Sequence, residues 1–265
     1  MIGIFDTGIG GLTVVKQIFK YLPDYQILYL GDTGRFPYST KPLKNKVKFS
    51  LQDAEFLTNK GAKILLIACN TITAFAGKEI YEQSSVPVFD VVSAGAYSAA
   101  KFTKNHRIGL IGSRDTVSSN VYVSCLKTIN PKIQLFSRAT QLFIYLVEEN
   151  YIDHPETAQI VKNLLEPFEK DNIDTLILGC THFPYLKKEI AHAMGKGVTL
   201  IDPAEELALQ VRKYLNNHKK LKDKLVQSQE HRFFVSGDIS SFQESAENIF
   251  NIDLKNIDRF VWDNE

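Results

Sequence analysis

No stretch of the sequence stays apolar for the roughly 20 residues that a membrane-crossing helix needs, so a membrane-spanning protein is not expected. Cysteine is scarce, with three in 265 residues. That is too few for a disulfide framework and makes free thiols the expectation. Neither sign of charge dominates: 31 Lys and Arg face 30 Asp and Glu, for a net charge of +1. Such a balance argues against a large nucleic-acid footprint while leaving room for a local basic patch. No Gly/Ser-rich or Pro-rich linker divides the chain, and no repeat with a period of roughly 20 to 50 residues runs through it. The opening Met1-Ile-Gly-Ile-Phe-Asp enters a strand-like run at once, without a charged segment followed by a long apolar one. No export signal is expected from it, and a cytoplasmic location is.

What is present is ordinary globular composition, 44% hydrophobic and 23% charged, in a chain long enough for one large domain or two moderate ones. Apolar runs rich in Ile, Leu and Val predict strands at Ile2–Phe5, Gln26–Leu30, Lys63–Ala68, Val86–Phe89, Arg107–Ile111, Ile133–Phe136, Thr175–Leu178 and Thr199–Ile201. Helix-period segments alternate with them, including Leu12–Tyr21, Leu43–Lys60, Ser93–Phe102, Pro155–Lys170 and Tyr185–Met194. Strand-helix alternation implies parallel sheets covered by helices. The least structured point of the first half is Asp90-Val-Val-Ser-Ala-Gly, where a first domain is expected to hand over to a second. Asp202-Pro-Ala-Glu-Glu, a strand end before a capped helix, marks the return. The expected domains are residues 1–92 with 208–265, and residues 93–207. The polar stretch Asn216–Glu230 is followed by strand-like His231–Ser236 and Asp258–Trp262, so the tail is expected to rejoin the first domain.

The chemistry gathers at two cysteines in near-duplicate settings. Cys69 follows Lys63-Ile-Leu-Leu-Ile-Ala and precedes Asn70-Thr71; Cys180 follows Asp174-Thr-Leu-Ile-Leu-Gly and precedes Thr181-His182. A short apolar run ending at a small residue predicts a buried parallel strand, and ligands bind beyond the carboxyl ends of such strands. A thiol of ordinary pKa, about 8.5, needs donors, a cation or a helix N-terminus to ionise at neutral pH. Asn70, Thr71 and Thr181 offer donors, and His182 offers a proton carrier. Cys125, inside the helix-like Tyr122-Val-Ser-Cys-Leu-Lys, is expected only to pack. The glycine-rich turn Gly3-Ile-Phe-Asp-Thr-Gly-Ile-Gly-Gly-Leu-Thr suits an anion at a helix start, but Thr13 replaces the last glycine of a dinucleotide fingerprint. Asp6 within it suits either a helix cap or a site carboxylate. No Arg follows either cysteine at a phosphatase offset, and Cys-x-x-Cys spacings are absent, so no metal site is expected.

Together these segments resemble the aspartate/glutamate racemase family, glutamate racemase in particular. The matching pieces are Phe5-Asp-Thr-Gly-Ile-Gly-Gly-Leu, Gly31-Asp-Thr-Gly-Arg-Phe-Pro-Tyr, Cys69-Asn-Thr-Ile-Thr-Ala, Leu146-Val-Glu-Glu, Gly179-Cys-Thr-His-Phe-Pro-Tyr-Leu and Ile201-Asp-Pro-Ala-Glu-Glu. The resemblance implies two facing α/β domains with parallel sheets, related by a pseudo-twofold, with the active site in the cleft between them. It implies cofactor-independent racemisation of glutamate for peptidoglycan, without pyridoxal phosphate. Cys69 would be the base toward the D-enantiomer and Cys180 toward the L-enantiomer, assisted by Asp6 and His182, with Glu148 orienting His182. Thr7, Pro37, Tyr38, Ser39, Asn70, Thr71, Thr116 and Thr181 would hold the substrate. The expected partner is a small amino acid, with room for a homodimer and with no membrane or direct nucleic-acid contact. Four positions depart from the family's usual pattern: Thr7 stands for Ser, Ser39 for Gly, and Thr140-Gln141 for Cys-Pro. Two alternatives stay open. One is an aspartate or broad-specificity racemase; the other is a non-catalytic protein that keeps the fold to bind a partner such as DNA gyrase.

Overall fold

The structure, a computed structural model, describes residues 1–252 and 254–262, with the backbone alone for Ser39. Ten strands lie among the described residues: β1 (Ile2–Asp6), β2 (Ile27–Gly31), β3 (Ile64–Ile67), β4 (Val88–Asp90), β5 (Arg107–Gly112), β6 (Gln134–Ala139), β7 (Thr175–Gly179), β8 (Thr199–Ile201), β9 (Arg232–Val235) and β10 (Ile257–Arg259). They form two sheets, ordered β10-β9-β2-β1-β3-β4 and β6-β5-β7-β8, and each of these ladders is parallel. The chain divides into two compact units, Met1–Val91 with Leu207–Glu265, and Val92–Glu206.

Each unit has its own core, built by the same device. In the first, β1, β2 and β3 are buried along their whole length, as parallel strands covered on both faces must be. Helix Asn70–Gln83 presents Ile72, Ala76 and Ile80 to them, and helix Leu43–Asn59 presents Phe49, Ala54 and Leu57. Spacings of four, as at 72, 76 and 80, and of three, as at 54 and 57, place such side chains on one helical face. In the second unit, Val92, Ala96 and Ala99 of helix Val91–Phe102 and Tyr122 and Leu126 of helix Val121–Ile129 pack on Ile108, Leu110 and Ile177. Cys125 is half-buried against this second core.

Register decides what each sheet presents at its carboxyl edge. Phe5 lies opposite both Leu30 and Ile67, so Asp6-Thr7, Asp32 and Cys69 leave the first sheet at one level. Gly112 lies opposite both Ala139 and Gly179. Ser113, Thr140 and Cys180 are therefore each the first residue past the second sheet.

Four local expectations differ from the structure, each for a physical reason. The segment after Asp90 is no loop: β4 ends at Asp90 and the helix begins at Val91, because Val91, Val92, Ala94 and Ala96 are all buried. Helix Pro155–Leu165 stops short of Lys170 and gives way to a 3₁₀ turn, Glu166–Glu169. Pro167 lies inside that turn and lacks the N–H that an α-helix interior requires. Pro184 does the same in the 3₁₀ turn Phe183–Leu186, which delays the following α-helix to Lys187–Met194. The last strand ends at Arg259, and Phe260 and Trp262 turn onto Phe56 instead, with ring centroids at 4.7 Å and 6.1 Å.

Gly179 is the tightest point beneath Cys180. A Cβ there would meet Leu110 Cδ1 at 2.6 Å and the backbone oxygen of Ile111 at 2.7 Å, and the second atom belongs to a paired strand that cannot step aside. Gly179→Ala should lower stability by about 1–3 kcal/mol, the usual penalty of overpacking. Gly197→Ala, where a Cβ meets nothing within 4 Å, should leave the denaturant midpoint unchanged.

Candidate active site

Cys69 occupies the N-cap of helix Asn70–Gln83 in extended conformation, φ −87° and ψ 124°. Its carbonyl accepts from the backbone N–H of Thr73 at 3.0 Å and from Thr73 Oγ1 at 3.1 Å, which ties it to the first turn. The thiol is thereby held at the positive end of a helix of 14 residues, where a thiolate is favoured. Asn70 is buried and Thr71 half-buried in that same first turn.

One neighbour of Cys69 is a hydroxyl. Thr7 Oγ1 lies 3.8 Å from Cys69 Sγ and 3.3 Å from Asp6 Oδ1, to which it donates. Asp6 Oδ1 also accepts from the backbone N–H of Gly8 at 3.0 Å. Asp6 thus reaches the sulfur through Thr7. Below them, the Tyr29 hydroxyl donates to the Gly8 carbonyl at 2.6 Å. Burial, followed by the charges of Asp6 and Cys69, holds the Tyr29 phenol well above its ordinary range, so it stays a neutral donor. Gly11 is required at this point because a Cβ would fall 2.6 Å from both Asp6 Cβ and the Tyr29 oxygen.

The loop after β2 carries the next group of expected residues on two short 3₁₀ turns, Thr33–Arg35 and Tyr38–Thr40. Pro37 is exposed. The Tyr38 ring is buried in the first core, and its hydroxyl donates to Asp32 and, at 3.3 Å, to Asp53. The hydroxyl is thus committed inward, to the two carboxylates. The side chain of Ser39 lies outside the described residues.

In the second unit, Cys180 follows β7 directly and its carbonyl accepts from the Phe183 N–H at 3.1 Å. That turn brings His182 back toward the sulfur. Cys180 Sγ is 3.6 Å from His182 Nδ1, and His182 Nε2 is 3.1 Å from Oε1 of Glu148. Glu148 is the last residue of helix Leu142–Glu148 and is half-buried. Burial alone would depress the imidazole, but hydrogen bonds and charge from Cys180 and Glu148 outweigh it and push the pKa up to about 10. A ring protonated on both nitrogens has an N–H for the sulfur and a positive charge beside the Glu148 carboxylate. Thr181 is buried beside them.

At the same edge, Ser113 caps the short helix Arg114–Ser118 by accepting from the Thr116 N–H at 3.2 Å, and its Oγ lies 3.0 Å from Thr116 Oγ1. Thr140 is 2% exposed, and among the described residues its Oγ1 finds no hydrogen-bond partner. The first unit therefore gathers Asp6, Thr7, Asn70 and Thr71 at Cys69, and the second gathers His182, Glu148 and Thr181 at Cys180. Sequence reasoning missed Tyr29, Ser113 and Asp32. Tyr29 is one apolar-looking strand residue among several, and Ser113 carries only a weak cap signal. Asp32 lies within the quoted loop motif but has no marker that distinguishes it from a turn residue. Among the described residues, no three or more His, Cys, Asp or Glu side chains gather as they would to hold a metal ion.

Chemically, each unit presents one sulfur with its own proton-handling neighbour, a hydroxyl-carboxylate relay in one case and an imidazole-carboxylate relay in the other. Known proteins resemble the chain closely. A family model described as Asp/Glu/Hydantoin racemase matches residues 2–211. The glutamate racemase of Oceanobacillus iheyensis is 40% identical over 251 residues, covering 94% of this chain and 91% of its own. The glutamate racemase of Listeria monocytogenes serotype 4a is likewise 40% identical over 251 residues, covering 95% and 94%. Among solved structures, glutamate racemase isoform RacE1 of Bacillus anthracis matches with a TM-score of 0.91 at 37% identity, covering 98% of this chain and 97% of that one. A Francisella tularensis glutamate racemase in complex with D-glutamate matches at 0.89 and 34% identity, covering 100% and 98%.

The His182 contacts make two measurable differences. Removing the imidazole in His182→Gln should slow iodoacetamide modification of Cys180 at pH 7, because the sulfur loses the neighbouring ring 3.6 Å away that supports its reactive form. Modification of Cys69 should be unaffected. Folding raises the imidazole from 6.5 to about 10, so the native state binds the extra proton between those values. The resulting stabilisation is complete below pH 6.5 and disappears as pH rises through 10. Denaturant midpoints of the wild type relative to His182→Gln should fall across that window; a flat difference would show that the contact does not hold the proton.

Proposed function

The chain belongs to the Asp/Glu/Hydantoin racemase family, and we propose that it interconverts L- and D-glutamate by taking a proton from one face of Cα and returning one to the other. The observation that carries this reading is the repetition of one arrangement: a thiol just past a buried parallel strand in each unit, each with its own acid-base partner. Relatives near 40% identity over almost the whole chain, curated as glutamate racemases, support the substrate.

Inverting Cα demands two groups, because a base on one face returns its proton to the same face unless an acid waits opposite. In this reading, one sulfur as thiolate removes the Cα proton. The electron pair left behind delocalises into the α-carboxylate, and the other sulfur as thiol donates its proton to the far face. Cys180 takes the proton from L-glutamate and Cys69 from D-glutamate, and the two exchange roles with direction. His182, held protonated between Cys180 and Glu148, favours the thiolate on that side. Thr7 passes the influence of Asp6 to Cys69. Since the two thiols supply both acid and base, the reaction needs no cofactor. Asn70, Thr71, Thr116, Thr181 and the loop from Pro37 to Ser39 hold the ammonium and carboxylates, with donors at helix starts suited to the anionic ends. The product would serve peptidoglycan synthesis in the cytoplasm. Among the described residues no helix is long and apolar enough to cross a membrane.

Circular dichroism of L-glutamate incubated with purified protein should decay to zero as the racemate forms. Cys69→Ala and Cys180→Ala should each lower this rate by about 10²–10⁴-fold, the scale of a lost acid-base group. In heavy water, early product should carry deuterium at Cα while recovered substrate stays largely unlabelled. Equal early labelling of both, or near-normal turnover by either variant, would rule out the two-base mechanism. Loss of optical signal with aspartate but not glutamate would reassign the substrate.

A further inference from the structure

The loop after β2 has little local structure to hold it, only two 3₁₀ turns of three residues each. Its support comes from the far end of the sequence. Ser236 Oγ donates to Asp32 Oδ1 at 2.7 Å and accepts from the Gly34 N–H at 2.9 Å. The Gly237 N–H donates to Thr33 Oγ1 at 2.9 Å. Trp262 adds two contacts: its Nε1–H donates to Asp32 Oδ1 at 3.0 Å, and its ring centroid lies 3.9 Å from Arg35 Cζ. The Phe49 ring is 4.2 Å from the same carbon. Arg35 is 2% exposed and Asp32 fully buried, with Arg35 Nε 3.6 Å from Asp32 Oδ2 and Arg35 Nη1 donating to Gln52 Oε1 at 3.0 Å.

Asp32 is therefore shared. One oxygen takes the indole and Ser236; the other takes the Tyr38 hydroxyl and faces Arg35. Burial, then the neighbouring Asp32, push the Asp53 carboxyl well above the usual carboxylate range. One guanidinium is thus set against one carboxylate, as a buried cluster requires.

Resting on the racemase reading, in which Pro37 to Ser39 hold substrate, we propose that Trp262 is a positioning residue for that loop: its N–H and ring fix Asp32 and Arg35, and Asp32 fixes Tyr38. The loop then meets an amino-acid ligand already ordered. Losing the indole N–H adds an ordering cost to binding and leaves the proton-transfer step untouched.

The test uses the full chain, in which Trp262 is the single tryptophan, so its emission reports on this contact directly. Titrating wild type with D-glutamate should shift the emission saturably, at the concentration that half-saturates turnover. Trp262→Phe keeps an aromatic face and removes only the donor. It should raise KM for glutamate about tenfold, on the scale of one hydrogen bond to a charged group, with kcat within about twofold. Trp262→Ala should raise KM further, and the conservative Phe should thus rescue part of the loss. A lowered denaturation midpoint with unchanged KM would make Trp262 merely structural and overturn the proposal, as would a fall in kcat alone. Wild type that quenches with D-glutamate but turns over neither enantiomer would sink the racemase reading and leave the loop assignment standing as a binding device. Neither quenching nor turnover would end both.

Discussion

Parallel pairing in register is the constraint on which the rest of this molecule depends. A parallel ladder forces every strand to end at the same edge, so residues far apart in sequence leave the sheet together, and each is followed by the start of a helix or turn. That edge is where backbone N–H groups are unsatisfied and thiolates and carboxylates are favoured. Asp6, Asp32 and Cys69 share it in one unit, and Ser113, Thr140 and Cys180 share it in the other. The glycines at 11 and 179 are consequences of the same geometry, since the polar groups and strands crowd too closely there for a side chain.

The two sulfurs are set in similar backbones but not in similar electrostatics. Cys69 sits on a helix of 14 residues, with the Thr7 hydroxyl in contact with both the sulfur and the Asp6 carboxylate. Cys180 is followed by a 3₁₀ turn and has an imidazole in contact, itself anchored by Glu148. A helix end and a charged ring are different settings that each favour negative charge on a nearby sulfur.

Much of this architecture was legible before any coordinates. The strand at Thr199–Ile201 and the helix at Leu12–Tyr21 have the bounds their patterns predict, because apolar runs and three-and-four spacing record burial directly. Both cysteines could be placed at strand ends for the same reason. Where reading failed, a residue's role lay in packing rather than in its neighbours: the segment after Asp90 read as the least structured point of the first half and is buried helix from Val91, and the aromatic tail resembled a longer strand and packs on Phe56.

The sequence by itself determined the parallel α/β class, the two thiols and their flanking donors, since these are written in local runs of a few residues. Only the tertiary structure decided that Thr7 stands between Asp6 and Cys69, and that His182 turns one nitrogen to Cys180 and the other to Glu148. It alone brought Trp262 to Asp32, 230 positions away. Contacts of that kind depend on register and chain closure, and neither leaves a periodic trace in the amino-acid order.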